Sequence, residues 1–408
     1  MNKKTEKFII SFFLILIVLY MVLSLRSEMA WSIRLGKRVN ILLVGCDELA
    51  YSKHSDVLIL VSYEPSSKFL DILSVPRDTK VPCAREVSWR QYRKINEVYS
   101  STFLKTRDIR QSALEVKKKL EEFLDIEIPF YFQVDYNSFR SVIDVLGGIE
   151  MDIESKMDYD DNWGNLHIHF KPGRQVLNGQ KALEYIRFRD RALGDTGRIL
   201  RQHRFLKALA GKLKNPFVLF RMGRLYRAVA ENVHTNIRIW DILVFAVDVR
   251  NMGPKDLRIQ NLPGTDENIA GKDYWIVDNP SKEEIIQVIL NSYRMGTKAF
   301  KPHFSYEAFD RNIVVEVWNA SRREGLAYDV QRRLRKYNID TVRWGNFGVY
   351  KKYTTVIDRC GDIDLAYKVA RVMGGCEVKT EIDRARLVDL SVVIGEDFER
   401  IGDKTSGF

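Results

Sequence analysis

From Val39 to Val75 the chain reads VNILLVGCDELAYSKHSDVLILVSYEPSSKFLDILSV. Three apolar runs in this stretch, residues 39–45, 56–63 and 69–75, have the length and β-branched content of buried strands. Only EPSSK, a short turn composition, separates the second run from the third, so these two are predicted to pair as a hairpin. A sheet therefore begins the folded part of the chain.

Helical and strand patterns alternate on the C-terminal side of this stretch. Apolar residues at helical spacing predict a helix over 107–124, and a second helix over 136–146 is followed by a Gly-Gly pair, which is a usual helix end. Strand patterns lie beside them at 129–134 and 149–153. The alternation predicts an α/β domain with three layers, α-β-α, around a mixed sheet.

Further along, a long helix is predicted over Asp195–Lys214. Ile199, Leu206 and Leu213 recur every seven residues in it and are expected to pack inward. Residues 254–280 are rich in Pro, Gly and Asp, and they are predicted to be irregular.

The N-terminus carries a candidate membrane anchor. Residues 8–25, FIISFFLILIVLYMVLSL, contain no charge, proline or glycine, and as a helix they would span roughly 27 Å, close to the thickness of a bilayer core. Lys3, Lys4 and Lys7 precede them, so the positive-inside rule puts the short N-terminus in the cytoplasm and the rest outside. The alternatives are a cleaved signal peptide and a buried core helix; against cleavage, no small-x-small site follows before Arg26.

A second folded unit begins with the strand pattern NIVVEVW at Asn312, and it has the pattern of a small α/β domain. The predicted division is a cytoplasmic tail (1–7), a transmembrane helix (8–25), a stalk (26–38), a main α/β domain (39–300), a linker (301–311), a small C-terminal α/β domain (312–398) and a tail (399–408).

Charge and cysteine content limit the classes of partner. Lys and Arg outnumber Asp and Glu by 65 to 54, a net charge of +11, which suits an anionic membrane surface, a phosphate-bearing substrate or nucleic acid. An outward-facing body and the lack of a nucleic-acid-binding motif argue against nucleic acid. The four cysteines form no CxxC pair, which argues against zinc. They are either two local bridges, Cys46–Cys83 and Cys360–Cys376, or thiols.

Two strands of the predicted sheet carry acidic side chains at neighbouring ends. Asp56 lies at the start of one strand, and SVPRDT, residues 74–79, follows the other. In a hairpin Asp56 and Asp78 would lie together, and two such carboxylates repel unless a positive group lies between them. Mg²⁺ is one such group, since it takes one or two carboxylates plus phosphate oxygens and water. The alternative is that Asp56 caps a turn and Arg77 pairs with Asp78 on the surface.

Arginines are concentrated in a second region. Arg187 and Arg189 are two residues apart and would point the same way in an extended chain, whereas Arg198 and Arg201 are three apart and would share a helix face. Four converging guanidiniums would make a phosphate or pyrophosphate clamp. The alternative is a solvated basic surface.

Other common site motifs are missing from the sequence. It has no Gly-rich Walker loop, no GxSxG elbow and no HExxH. His167 and His169 alternate in LHIHF, and two outward residues on an edge strand are favoured over metal ligands.

Taken in order, these motifs resemble the LytR–CpsA–Psr proteins of bacterial cell-wall assembly. The matching stretches are NILLVGCD at Asn40, HSDVLILVS at His54, LSVPRDT at Leu73, KINEVY at Lys94, VIDVLGGIEMDI at Val142, LNGQKALEYIRFRD at Leu177 and GDTGRILRQ at Gly194. They cover about residues 40–214. Residues from 312 to about 398 resemble a C-terminal domain that some members carry.

The resemblance implies transfer of a glycopolymer from a polyprenyl-pyrophosphate carrier to peptidoglycan, at the 6-hydroxyl of N-acetylmuramic acid. It implies a Mg²⁺ ion held by Asp56 and Asp78. The residues that would hold the pyrophosphate are Arg77, Arg187, Arg189, Arg198, Arg201 and Gln202. The residues expected to act in catalysis are Asp78, Arg77, Arg189 and Arg198. Asp78 is the candidate acceptor of the proton from the attacking hydroxyl.

Two positions depart from the family pattern. His54 stands where the family usually has Arg, and Val57 stands where it usually has Thr. Two other functions remain open at this point. A non-catalytic membrane protein that binds anionic lipid-linked polymers would need the arginines but not the aspartates. A phosphatase would use water in place of the sugar hydroxyl.

Overall fold

The computed structural model describes residues 27–46, 55–83, 92–162, 166–189, 193–213, 233–253, 256–294, 309, 312–335, 337 and 339–398. The predicted transmembrane helix, 8–25, lies outside these ranges, as do both predicted tails, His54 and all of the predicted linker except Phe309. Within the described ranges, no helix is both long and apolar enough to cross a membrane.

The strands are β1 (Val39–Cys46), β2 (Ser55–Glu64), β3 (Phe69–Val75), β4 (Lys80–Pro82), β5 (Tyr92–Lys94), β6 (Phe130–Asp135), β7 (Ile149–Ile153), β8 (Met157–Asp161), β9 (Leu166–Phe170), β10 (Gly173–Leu177), β11 (His234–Thr235), β12 (Leu257–Asn261), β13 (Gly264–Ile269), β14 (Lys272–Val277), β15 (Ile313–Asn319), β16 (Ile339–Asn346), β17 (Thr355–Asp358), β18 (Glu377–Thr380) and β19 (Leu390–Ile394). The helices are α1 (Glu28–Arg34), α2 (Ile95–Thr106), α3 (Ile109–Leu124), α4 (Tyr136–Leu146), α5 (Gly179–Arg187), α6 (Gly194–Leu213), α7 (Ile239–Val249), α8 (Asn279–Arg294), α9 (Leu326–Arg335) and α10 (Ile363–Val372).

The chain divides into two compact units. The first comprises Met1–Val134, Val233–Asp256 and Gly264–Phe300. The second comprises Asp135–Asn232, Leu257–Pro263 and Lys301–Phe408. The second unit therefore combines part of the predicted main domain with the predicted C-terminal domain.

The sheet of the first unit carries the hairpin expected from the sequence. Five of its strands lie side by side in the order β11-β6-β1-β2-β3. β2 pairs antiparallel with β1 and with β3, and Glu64 lies opposite Phe69 where the chain turns, so the predicted hairpin is confirmed. Val39, Tyr63 and Phe130, on β1, β2 and β6 of this sheet, are buried in one cluster with Met29 of α1.

The second unit begins with helices and two hairpins. α4 begins after Asp135, whose carboxylate accepts from the Ser138 amide at 2.8 Å, and it ends at Gly147, which has a φ of +81°. The helix predicted over 136–146 is therefore confirmed. β7 pairs antiparallel with β10, and β8 with β9. Their apolar faces are buried against α5 and α6 in one core cluster.

The C-terminal part of the second unit is a small α/β structure. Its strands lie in the order β16-β15-β19-β17-β18, with β15 parallel to β16 and β19, and β17 antiparallel to β19. Val330 and Leu334 of α9, with Ala366 and Val369 of α10, pack in the same buried cluster as the sheet. The mixed α/β class expected from the sequence is thus confirmed, with a mixed sheet.

Two predictions of local structure are wrong. Residues 254–280, expected to be irregular, contain β12 and the antiparallel pair β13–β14. The turn between these strands is Ala270-Gly271, with φ values of +52° and +78°, and positive φ at both central residues is the two-residue hairpin turn that matches strand twist. Leu213, expected to pack inward, is 51% exposed at the end of α6, whereas Ile199 is buried.

The four cysteines all lie among the described residues, and none forms a disulfide. Of the two alternatives left by the sequence, the thiol form is the one observed. His167 and His169 lie on the exposed face of β9, beside Asp160 and Asp158 of β8, as expected for outward residues.

Candidate functional site

Asp56 and Asp78 are brought to one edge of the sheet by the β2–β3 register. Leu58 lies opposite Val75, so the start of β2 is beside the end of β3. A tight turn follows β3, in which the Thr79 amide and hydroxyl both donate to the Pro76 carbonyl, at 3.0 and 2.5 Å. Thr79 is fully buried, so this turn fixes where Arg77 and Asp78 leave the sheet.

The Arg77 guanidinium contacts both aspartates. Its Nη1 donates to Asp56 Oδ1 at 2.6 Å, and its Nε lies 3.5 Å from Asp78 Oδ2. The expected juxtaposition of the two carboxylates is therefore present, and Arg77 is a positive group between them. The three side chains are each about a quarter exposed, at 22% to 26%, so a ligand from solvent reaches them.

Lys94 is a fourth member of this group, and the sequence did not assign it a role. Its Nζ lies 2.8 Å from Asp78 Oδ1. The Ile95 amide donates to the Thr79 carbonyl and the Asn96 amide donates to the Arg77 carbonyl, so the start of α2 is joined to the turn that holds Asp78. The KINEVY stretch was the available signal, but only contacts across the fold give Lys94 its place.

Backbone from β14 encloses the other side of Asp78. The Trp275 amide donates to the Asp78 carbonyl at 2.9 Å, and the Tyr274 ring centroid lies 5.7 Å from Lys94 Nζ. These contacts come from the hairpin that was predicted to be irregular. Sequence reasoning therefore missed both the strand and its contribution to the site.

The chemistry of this group fits a hydrated Mg²⁺ ion. It offers two half-buried carboxylates, and the Oδ1 atom of Asn96 is buried with no hydrogen-bond partner among the described residues. Within the same residues, no set of three or more His, Cys, Asp or Glu side chains is arranged around a metal position. The two carboxylates suit an ion that takes one or two protein carboxylates and completes its shell with phosphate and water.

The predicted pyrophosphate ligands Arg187, Arg189, Arg198, Arg201 and Gln202 lie in the second unit. Arg187 is the last residue of α5, and its guanidinium carbon lies 4.7 Å from the Tyr136 ring centroid. The expectation that Arg187 and Arg189 lie in extended chain is wrong, because the helix continues to Arg187 and ends at Phe188. Arg189 is exposed to solvent just beyond that end.

The remaining three residues lie on α6 and are buried. Arg198, Arg201 and Gln202 are 6%, 1% and 8% exposed. Arg201 Nε donates to Glu154 Oε1 at 2.7 Å, and its guanidinium carbon lies 4.8 Å from the Phe188 ring centroid. Arg198 and Arg201 are therefore not part of a solvated surface, which was the alternative for these arginines.

Glu154, the partner of Arg201, also contacts Tyr185 and Arg204. Its Oε2 accepts from the Tyr185 hydroxyl at 3.0 Å and lies 3.5 Å from Arg204 Nη1. Burial, with the nearby Glu154 carboxylate, raises the pKa of the Tyr185 hydroxyl. His203, next on α6, is 5% exposed, and burial lowers the pKa of its imidazole to about 3, so His203 is neutral in the folded protein. A buried glutamate thus holds Arg201 in place.

Residues 24–289 match the LytR_cpsA_psr family, and residues 312–398 match a family described as LytR cell envelope-related transcriptional attenuator.

Two characterised relatives come from Bacillus subtilis (strain 168). The chain is 32% identical over 238 residues to the polyisoprenyl-teichoic acid–peptidoglycan teichoic acid transferase TagV. The aligned residues cover 56% of this chain and 58% of TagV. It is 30% identical over 258 residues to the transferase of the same description named TagU, covering 62% of this chain and 77% of TagU. The chain thus matches less than two thirds of the length of TagV.

Solved structures show the same similarity. The crystal structure of B. subtilis TagV matches with a TM-score of 0.54 and 30% identity, covering 63% of this chain and 98% of that one. A Streptococcus agalactiae protein, gbs0355, matches with a TM-score of 0.56 at 22% identity, over 66% of this chain and 92% of that one, and it supports the fold alone.

Proposed function

This chain belongs to the LytR_cpsA_psr family, and we propose that it transfers a glycopolymer from a polyprenyl-pyrophosphate carrier to peptidoglycan, at the 6-hydroxyl of N-acetylmuramic acid. The observation that carries the proposal is the group formed by Asp56, Arg77, Asp78 and Lys94, in which two carboxylates and two cations meet at one sheet edge. The names of the relatives TagV and TagU support the reaction type and both substrates.

The reaction exchanges one phosphorus–oxygen bond for another. The acceptor hydroxyl attacks the phosphorus attached to the glycopolymer, the bond from that phosphorus to the bridging oxygen breaks, and polyprenyl monophosphate leaves. Negative charge spreads over the phosphoryl oxygens in the transition state, so fixed cations around it lower the barrier. A bound Mg²⁺ would supply part of that positive charge.

Each residue of the first unit has a distinct task in this proposal. Asp78 accepts the proton of the hydroxyl, and Lys94 and Arg77 orient its carboxylate through the contacts at 2.8 and 3.5 Å. Asp56 and Asp78 are the residues that would hold Mg²⁺. Arg77 has a second role at the pyrophosphate, where its guanidinium would donate to phosphate oxygens.

The arginines of the second unit bind the pyrophosphate. Arg198 and Arg201 are held on α6, Arg187 is the last residue of α5, and Arg189 lies just beyond that helix. Gln202 supports this group, with its amide nitrogen 3.4 Å from the Ile186 carbonyl. Guanidinium forks are suited to two adjacent phosphates because each donates two parallel hydrogen bonds.

The chain acts from the outer side of the cytoplasmic membrane in this proposal. Its support is the uncharged run at 8–25 behind three lysines, which predicts a single-pass anchor with the N-terminus in the cytoplasm. The lipid carrier and the peptidoglycan acceptor would both be reached from that side.

The test measures transfer rate and lipid affinity separately, with Mg²⁺ varied. Asp78→Asn and Asp56→Asn are expected to lower the rate of transfer by about a hundredfold or more, because general-base and metal contributions are realised mainly in the transition state. Their affinity for the lipid pyrophosphate should fall much less. Arg189→Ala, at an exposed position, should weaken lipid binding about tenfold through the loss of a charge-assisted contact.

Two control variants match these changes. Glu115→Gln removes an exposed carboxylate from α3, and Lys212→Ala removes a cation from the last turn of α6; both should leave rate and affinity unchanged. Full transfer by either aspartate variant would contradict catalysis at this site. Release of polymer into water by the wild-type protein, with the acceptor present and unused, would instead identify a phosphatase.

A further inference from the structure

The loop between β16 and β17 exposes an unusual number of large apolar side chains. It reads FGVYKKY over residues 347–353. Phe347 is 40% exposed, Val349 62%, Tyr350 66% and Tyr353 56%. This aromatic patch lies in the C-terminal part of the second unit, outside the residues assigned above to transfer.

The backbone of the aromatic patch is held in place by its neighbours. The Phe347 amide donates to the Asn319 carbonyl and the Lys351 amide donates to the Ala320 carbonyl, both at 2.8 Å. The Lys351 carbonyl accepts from the Glu396 amide at 3.1 Å. The backbone under these side chains is therefore held by hydrogen bonds. Binding of a ligand would then cost the entropy of ordering the side chains but little entropy of ordering the loop.

Cations lie against the rings. The Arg322 guanidinium carbon lies 5.5 Å from the Tyr350 ring centroid, and Lys352 Nζ lies 5.1 Å from the Tyr353 ring centroid. Lys351 lies between the two tyrosines, and no acidic residue occurs from 347 to 353. The aromatic patch thus combines ring faces with three positive groups.

Two nearby carboxylates are used to hold this loop and its surroundings. Glu396 Oε1 accepts from the Arg322 amide at 3.0 Å, and its contact with the Arg322 guanidinium is longer, at 4.0 Å. Asp397 accepts from the amide and hydroxyl of Thr354, at 2.7 and 2.8 Å. The charged groups that lie over the rings are the cations Arg322 and Lys352.

We propose that the aromatic patch is a binding site for an anionic glycan chain. The apolar faces of sugar rings stack on Tyr350 and Tyr353, and the phosphate or carboxylate groups between the sugars pair with Arg322, Lys351 and Lys352. Aromatic residues that carry a hydroxyl suit this ligand because one side chain offers both an apolar face and a hydrogen bond. Complementary charge would raise the rate of encounter as well as the affinity.

A lipid surface fits the patch less well. Val349 is its only aliphatic side chain, so insertion into a bilayer would bury little hydrocarbon while removing two ammonium groups and a guanidinium from water. Exposed aromatic patches of this kind mark interaction sites. The positive charge of Arg322, Lys351 and Lys352 favours a polyanionic ligand.

The experiment uses the detergent-solubilised full chain and a purified, lipid-free teichoic acid as the probe. Because the probe lacks a lipid pyrophosphate, its binding is independent of the transfer proposed above. Tyr350→Ser and Tyr353→Ser should each weaken binding roughly three- to tenfold. Lys352→Gln should weaken it at low salt and have little effect at high salt, where exposed charges are screened.

Tyr367→Ser is the matched control, because Tyr367 is 54% exposed on α10. It should bind the probe as the wild-type protein does. Wild-type affinity in Tyr350→Ser and Tyr353→Ser, or an equal loss in Tyr367→Ser, would overturn the proposal. A second result would also overturn it. If the two tyrosine substitutions weaken binding of the soluble anionic lipid dihexanoylphosphatidylglycerol but not binding of teichoic acid, the patch is a membrane contact.

Discussion

Asp340 shows how one buried carboxyl links the stability of the second unit to pH. It lies on β16, is 6% exposed, and its Oδ2 has no hydrogen-bond partner among the described residues. Burial raises the pKa of Asp340 to about 7, although Arg335 and Lys207 oppose the shift. The folded protein therefore keeps this carboxyl protonated at pH values where the unfolded chain has released the proton.

The sign of the pH effect follows from that difference. Between about pH 4 and pH 7 the folded state binds more protons at Asp340 than the unfolded state, so this group makes stability fall as pH rises. Asp340→Asn removes the titration and keeps the shape. The variant should match the wild-type protein near pH 4 and exceed it by roughly 2–4 kcal/mol at pH 8.

Chemical denaturation of both proteins at several pH values checks this prediction. Groups such as His203 titrate in both proteins, so they cancel when the two curves are subtracted. A difference in unfolding free energy that does not change with pH would mean that Asp340 has an ordinary pKa in the folded state.

At the scale of elements, α4 and α5 are in contact at a glycine. A Cβ on Gly179 would lie 2.3 Å from the Arg140 carbonyl oxygen, and the Gly179 amide donates to Asp144 Oδ1 at 2.7 Å. Gly179→Ala should therefore separate the two helices and destabilise the protein by about 2 kcal/mol or more.

Gly211 provides a matched control for that substitution. It lies in α6, and nothing lies within 4 Å of a Cβ built there. Gly211→Ala should be neutral or stabilise by up to about 1 kcal/mol, because alanine has the higher helix propensity. Thermal unfolding of both variants distinguishes the steric effect at the α4–α5 contact from the effect of helix propensity. Equal changes in unfolding temperature would show that the contact between α4 and α5 does not require a glycine.

Elements with a clear local signal could be predicted from the sequence. α4 is bounded by Asp135 and Gly147, both of which are strong end signals, and the β2–β3 hairpin follows from two apolar runs and a five-residue turn. The β13–β14 hairpin was missed because β13 is polar and largely exposed, and the Ala270-Gly271 turn is an uncommon pair for positive φ. Apolar periodicity carries no signal for such strands.

The same distinction applies to the candidate site. Asp56 and Asp78 could be predicted to lie together because one hairpin joins them. Lys94 could not, since the start of α2 is joined to the turn after β3 by backbone hydrogen bonds to Thr79 and Arg77, which leave no local pattern in the sequence. Arg201 was predicted as a ligand without its buried partner Glu154, which lies 47 residues away in sequence and carries no local pattern.

At the scale of the whole molecule, the helix that carries Arg198 and Arg201 contacts the C-terminal part of the second unit. Leu200 is 2% exposed and packs in one cluster with Val342, Leu387 and Val388. Arg384 Nη1 lies 3.4 Å from Asp152 Oδ2 nearby, but both side chains are about half exposed, so this ion pair adds little. Of these two contacts, the apolar cluster is therefore the stronger connection.

This cluster predicts energetic coupling between α6 and the C-terminal part. Leu200→Ala should lower the free energy of local opening of α6 by about 2–4 kcal/mol, because it leaves a cavity at a buried contact. Val388→Ala should lower it as well. The double variant should differ from the sum of the two by about 0.5 kcal/mol or more, since the side chains share one cluster.

Amide hydrogen exchange of α6 in the full chain measures these opening free energies. Leu213→Ala, on the same helix but 51% exposed, is the control, and its effect should simply add to that of Val388→Ala. Additive effects for Leu200 and Val388 would show that α6 is stable without the C-terminal part. Coupling would mean that the C-terminal part stabilises the helix that holds the proposed pyrophosphate ligands, so substitutions there should weaken donor binding without touching a ligand residue.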